Sequence, residues 1–133
     1  MDYCDTNPDA IVQFHACDMR LKIHSDAVYL NAAGSHSGAG GNFYLGNNDN
    51  KPDIQNGAIL NPTGILRHIA YSAVEAELEA LFVNTKEGEV IINTLKDMGH
   101  PQGPTPVQTD NSIVNGIAND TIKQQHSRTI DMR

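Results

Sequence analysis

Arg20-Leu21-Lys22-Ile23-His24-Ser25-Asp26-Ala27-Val28-Tyr29-Leu30 alternates in polarity. Leu21 and Ile23 take one face of a strand, and Lys22, His24 and Asp26 take the other, as a period of two requires. The first face is core; the second carries a carboxylate, Asp26, at the border of the apolar run. Two more acidic residues stand in the same relation to apolar runs: Glu77 in Ala76-Glu77-Leu78-Glu79-Ala80-Leu81, and Asp110 in Val107-Gln108-Thr109-Asp110-Asn111. Carboxylates brought by two strand ends and one helix to a single sheet edge make a magnesium site. Hard divalent cations take oxygen ligands, and phosphoryl-transfer enzymes commonly hold two such ions with a few Asp and Glu.

The rest of the chain supplies the sheet and the helix. Residues 31–41 are rich in Gly, Ala and Ser and read as a turn region. Within it, Gly38-Ala39-Gly40-Gly41 precedes a strand rather than a helix and lacks a following Lys-Ser/Thr. It therefore reads as a hairpin loop and not a phosphate cradle. Residues 42–45 and 57–60 are the second and third strands. The segment 69–98 is helical, with Val74, Leu78 and Leu81 at i, i+4 and i+7, and Ile92 and Leu95 resuming the stripe. Gly88 predicts a bend or a split, and Gly99-His100-Pro101 a stop. At 100° per residue, Glu77 lies about 65° from the stripe centre, Glu75 about 95° and Glu79 about 130°. Glu77 thus looks inward along the sheet edge, and Glu75 and Glu79 belong to a solvated face.

Residues 106–109 form a fourth strand, and Asp110-Asn111-Ser112 offers N-cap residues for a helix over 113–118. Residues 1–19 are a linker, with Asn7-Pro8-Asp9-Ala10 either capping a short helix through His15 or forming a turn. The predicted class is α/β: three antiparallel strands, a right-handed crossover helix, then a fourth strand parallel to the first. That order sets Asp26 and Asp110 on adjacent strands.

At 133 residues the chain fits one domain, with a core resting on aliphatic residues because aromatics are 5% and Trp is absent. No apolar run approaches the roughly 18 residues of a membrane span, and Met1-Asp2-Tyr3-Cys4-Asp5 lacks the basic flank of a signal peptide. Cys4 and Cys17 read as free thiols of a reducing compartment. The expectation is an intracellular protein, cytoplasmic or nuclear, with no membrane partner. The six histidines show no zinc-ligand spacing. A net charge of −7 with nine Lys and Arg disfavours tight binding to a polyanion by this chain alone, since phosphate affinity comes mainly from cations.

Five segments carry a resemblance: His24-Ser25-Asp26-Ala27-Val28-Tyr29-Leu30; Ser37-Gly38-Ala39-Gly40-Gly41-Asn42-Phe43-Tyr44-Leu45; Ser72-Ala73-Val74-Glu75-Ala76-Glu77-Leu78; Thr109-Asp110-Asn111-Ser112; and His126-Ser127-Arg128-Thr129-Ile130-Asp131-Met132-Arg133. In their order and spacing the chain resembles the ribonuclease H domain of copia-type retrotransposon polyproteins. The resemblance implies a mixed five-stranded sheet flanked by helices, holding two Mg2+ ions, with Mn2+ as a substitute. It makes Asp26 the first-strand ligand, Glu77 the helix ligand and Asp110 the fourth-strand ligand, and places Asn111, Ser112, Lys123 and Arg128 against nucleic acid. The implied activity is metal-dependent hydrolysis of RNA in an RNA–DNA hybrid. The implied partners are that hybrid and the reverse transcriptase domain of the same polyprotein.

The sequence departs from the family pattern at its end. In the family, the Arg-Thr-x-x-Asp-x-Arg segment leads into more helix, a fifth strand and an Ala-Asp-x-x-Thr-Lys-like motif with the fourth carboxylate. Here the residues stop at Arg133, and Asp131 belongs to the helix segment. The resemblance therefore implies a ribonuclease H-like domain over 20–133, incomplete at its C-terminal end, with impaired or absent cleavage. The alternative is a non-catalytic transposon remnant or protein-interaction module, whose acidic surface suits a basic partner.

Overall fold

The alternating segment becomes β1 (Arg20–Ala32), which lies inside the sheet, paired on both sides. In this computed structural model residues 5–48 and 56–122 are described. After β1 come β2 (His36–Gly46), β3 (Ala58–Leu60), β4 (Thr63–Ile65), helix α1 (Ala73–Asp97), β5 (Val107–Gln108) and helix α2 (Ser112–Ala118). The strands order as β3-β2-β1-β5, with β4 also paired to β2. The β1–β2 and β2–β3 pairs are antiparallel and β1–β5 is parallel. This is the meander and crossover that the element order predicts.

Several details differ from the sequence reading. The glycine-rich stretch is not a hairpin loop: Gly38 to Gly41 are strand residues, paired to β1 and, through Gly38, Ala39 and Gly40, to β4. The turn itself is Ala33-Gly34-Ser35, where Gly34 and Ser35 adopt positive φ. Asp26 consequently sits mid-strand, opposite Gly40, rather than at a strand end. The third strand is interrupted at Asn61-Pro62 and resumes as β4, since proline offers no amide to the ladder. Of the two readings for Asn7-Pro8-Asp9-Ala10 the turn holds, with the Ala10 amide bonded to the Asn7 carbonyl, and residues 10–15 form no helix. Asn56 instead fixes that segment, accepting from the His15 amide and donating to the His15 and Leu45 carbonyls.

Helix α1 runs unbroken through Gly88. Its start is set by Ser72, whose hydroxyl accepts from the Glu75 amide at 3.2 Å, while Glu75 Oε2 accepts from the Tyr71 amide at 2.7 Å. Glu75 is thus buried at the helix entrance, not solvated, and Glu79 is half-buried against His68 at 2.8 Å. Gly99, at φ +88°, ends the helix, with the His100 amide bonded to the Leu95 carbonyl and the Gly99 amide to Lys96.

The face that α1 turns to the sheet is chosen by size more than by hydrophobicity. Ala76, Glu77, Ala80, Asn84, Gly88 and Leu95 are buried, whereas Val74, Leu78 and Leu81 are half-buried. On a helical wheel Glu77, Asn84, Gly88 and Leu95 fall within about 40° of one another. Glu77 therefore lies near the middle of the buried face. Gly88 allows the close approach, because a Cβ there would stand 2.6 Å from Ile23 Cδ1. Two apolar clusters result: Leu21, Ile23, Phe43 and Leu95 toward one end, and Leu66, Ala70 and Ala76 with Ala27 and Ala39 toward the other.

Candidate metal centre

Three elements converge on one corner of the sheet. The loop after α1 is fastened to β1 by Gln102, which accepts from the Leu21 amide and donates to the Met19 carbonyl. Ile23 then donates to the Pro106 carbonyl, and β5 runs parallel with Ile23 opposite Val107 and His24 opposite Gln108. Continuing that register by two residues brings Asp110 level with Asp26. The Asn111 side chain accepts from the amides of Ile113 and Val114, so the chain turns into α2 directly after Asp110.

Asp26, Glu77 and Asp110 each offer a carboxylate oxygen, and these atoms all lie within 4.8 Å of one another. Asp26 and Asp110 are exposed, while Glu77 is 9% exposed and its Oε2 is buried without a hydrogen-bond partner. The Ala27 amide holds Asp26 Oδ1 at 2.8 Å. Burial pushes the Glu77 carboxyl above its ordinary value, and the charges of Asp26 and then Asp110 push it further, while a backbone hydrogen bond at Ala27 works the other way. Two further carboxylates beside that of Glu77, one oxygen of which is buried without a partner, are costly without a counter-charge. An all-oxygen, all-carboxylate donor set suits a hard divalent cation such as Mg2+ or Mn2+. The residues present therefore fit the group.

All three acidic residues singled out in the sequence meet here. Asn111 and Ser112 adjoin them at the start of α2, Asn111 as the cap and Ser112 as an exposed first-turn residue. Lys123 and Arg128 lie outside the described residues, as do Cys4 and Asp131. The His24 ring meets Tyr44 edge-on at 5.2 Å, with Nε2 3.2 Å from the tyrosine hydroxyl. The sequence reading missed Asn84, which is 2% exposed and bonded to Ser25 and Gly40 beside Asp26. The available signal was an asparagine seven residues after Glu77, on the same helical face. Among the described residues no helix is long and apolar enough to cross a membrane.

Comparison with known proteins agrees with the fold. The crystal structure of LC11-RNase H1 in complex with RNA/DNA hybrid is similar to this chain with a TM-score of 0.56. The match has 14% sequence identity and covers 84% of this chain and 69% of that one. At that identity the likeness establishes a ribonuclease H-like fold. No protein-family model matches the sequence, and no curated protein does.

Proposed function

We propose that this chain is a retroelement-derived ribonuclease H-like domain whose chemistry is divalent-metal-dependent hydrolysis of RNA within RNA–DNA hybrids, with impaired or absent cleavage. The observation that carries the reading is the meeting of Asp26, Glu77 and Asp110 within 4.8 Å on a ribonuclease H-like sheet. The similar solved protein is itself described with an RNA/DNA hybrid, which supports the substrate class. A copia-type origin rests on the five sequence segments quoted above, and with it a reverse transcriptase domain as covalent neighbour.

Asp26, Glu77 and Asp110 would hold Mg2+ or Mn2+. A divalent cation supplies there a nucleophile from water at neutral pH and neutralises charge at the phosphodiester. The protein's part is placement. The Ala27 amide engages one oxygen of Asp26, Glu77 closes the rear of the site from the buried face of α1, and Asp110 stands exposed at the front. Among the described residues the cluster holds three carboxylates.

The test is cleavage of a labelled RNA–DNA hybrid by the full chain. The reading requires that any cleavage depend on Mg2+ or Mn2+, stop on chelation and vanish in Asp110→Asn. Cleavage that survives Asp110→Asn contradicts it. One observation favours a second reading, a non-catalytic protein-interaction module: the net charge of −7 suits a basic protein better than a polyanion. Such a module binds no hybrid in Mg2+ at physiological salt.

A further inference from the structure

We propose that Asn84 is a positioning residue that fixes Asp26 relative to Glu77, an inference that rests on the divalent-metal reading of the cluster. Asn84 is 2% exposed in the interface between α1 and the sheet. Its side-chain amide donates to Ser25 Oγ and to the Gly40 carbonyl, each at 2.9 Å. Ser25 precedes Asp26 in β1, and Gly40 is the residue paired with Asp26 across β2. One side chain thus grips both strands at the position of the first carboxylate.

The same side chain lies two helical turns beyond Glu77, about 20° from it around the helix. The fold makes room for it. A Cβ at Gly41 would collide with Asn84, and would also stand 2.7 Å from Phe43. Around Asn84 the buried face of α1 includes Ala76, Ala80 and Gly88, and packing among residues this small does not by itself resist sliding or rotation. A doubly bonded buried amide does, since any shift leaves its polar atoms unpaired away from water. Glu77 Oε2 has no hydrogen-bond partner, and beyond a backbone hydrogen bond at Ala27 the carboxylate is placed by the helix that carries it. Asn84 ties that helix to the strand that carries Asp26.

The experiment measures Mn2+ affinity of the intact chain by water-proton relaxation, with folding checked by circular dichroism. Asn84→Ala is compared with Leu95→Val, which trims the core elsewhere on α1 without touching Ser25 or Gly40. Expected is a loss of about tenfold in Mn2+ affinity for Asn84→Ala, the low end for residues that orient metal ligands indirectly, with wild-type affinity in Leu95→Val. Undiminished affinity in Asn84→Ala overturns the proposal, as does an equal loss in Leu95→Val, which marks a generic effect of loosened packing. Should Asn84→Ala fail to fold, Ser25→Ala removes one of its two contacts at little change in volume and carries the same expectations. A wild-type chain that binds no Mn2+ overturns the metal reading itself, a result distinct from either.

Discussion

Glu77 and Asp26 bring carboxylate oxygens within 4.8 Å of each other, while Glu77 Oε2 stays buried without a hydrogen-bond partner. Two like charges so placed, one of them desolvated, oppose folding unless a cation lies between them. On the proposed divalent-metal reading, the arrangement trades stability of the metal-free protein for affinity toward the ion.

Glu77→Gln therefore raises the thermal midpoint in EDTA at pH 7. The glutamine keeps the shape and removes the buried charge. A gain on the order of 1 kcal/mol corresponds to roughly 3–5 °C in a domain of this size. The same variant loses any stabilisation by Mg2+ or Mn2+. A lower midpoint in EDTA would show that the Glu77 carboxylate is satisfied in the metal-free protein.

The pH dependence of that difference has a definite sign. Glu77 has its folded-state pKa raised above the ordinary 4.5, so the native state binds more protons than the unfolded chain between the two values. Its contribution to stability is fully present below about 4.5 and is lost as pH rises through the raised value. The advantage of Glu77→Gln over wild type should vanish below that ordinary value and grow toward neutrality, as read from urea midpoints in EDTA. In excess Mg2+ the order reverses at pH 7, because the ion favours the ionised wild-type site.

Ser72→Ala removes the hydroxyl that caps α1 five residues before Glu77. The expected loss is about 1 kcal/mol of unfolding free energy, with fraying of the first turns. Weaker metal stabilisation should accompany it, since Glu77 sits in the second turn. Denaturant titration with and without Mn2+ separates the two effects.

Gly41→Ala tests the packing of α1 on β2. The added methyl meets Asn84 and Phe43, both buried, and overpacking of this kind costs roughly 1–3 kcal/mol. Neutral or stabilising behaviour in a urea titration would mean that the helix lies farther from the sheet than described.

Much of the site was legible in the sequence, and the reason is local. Asp26 lies in a strand whose alternation is clear at Leu21 and Ile23, although it sits mid-strand rather than at the strand end, and Asp110 precedes the capping Asn111, so short-range signals mark both carboxylates. Glu77 was placed inward by angular position, and it does face the sheet. The face itself was misjudged. Val74, Leu78 and Leu81 drew attention by hydrophobicity, while the sheet selected Ala76, Ala80, Asn84 and Gly88 because a close helix admits only small or specifically bonded side chains. Gly88 was read as a helix breaker for the same reason: its use is contact with Ile23, a residue 65 positions away in sequence. The glycines of β2 misled in the same way. Their composition says turn, and their ladder partners on both sides make them strand.

Asp26, Glu77 and Asp110 are proposed to form one divalent-cation site. The most direct test is a thermal melt followed by circular dichroism, with and without millimolar Mg2+ or Mn2+, on wild type and on Asp110→Asn. A ligand at about one hundred times its Kd adds roughly 2.7 kcal/mol to the folded state. The prediction is a cooperative transition that moves to higher temperature with metal in wild type and stays in place in Asp110→Asn. A wild-type midpoint indifferent to both ions, or a shift that persists in the variant, would contradict it.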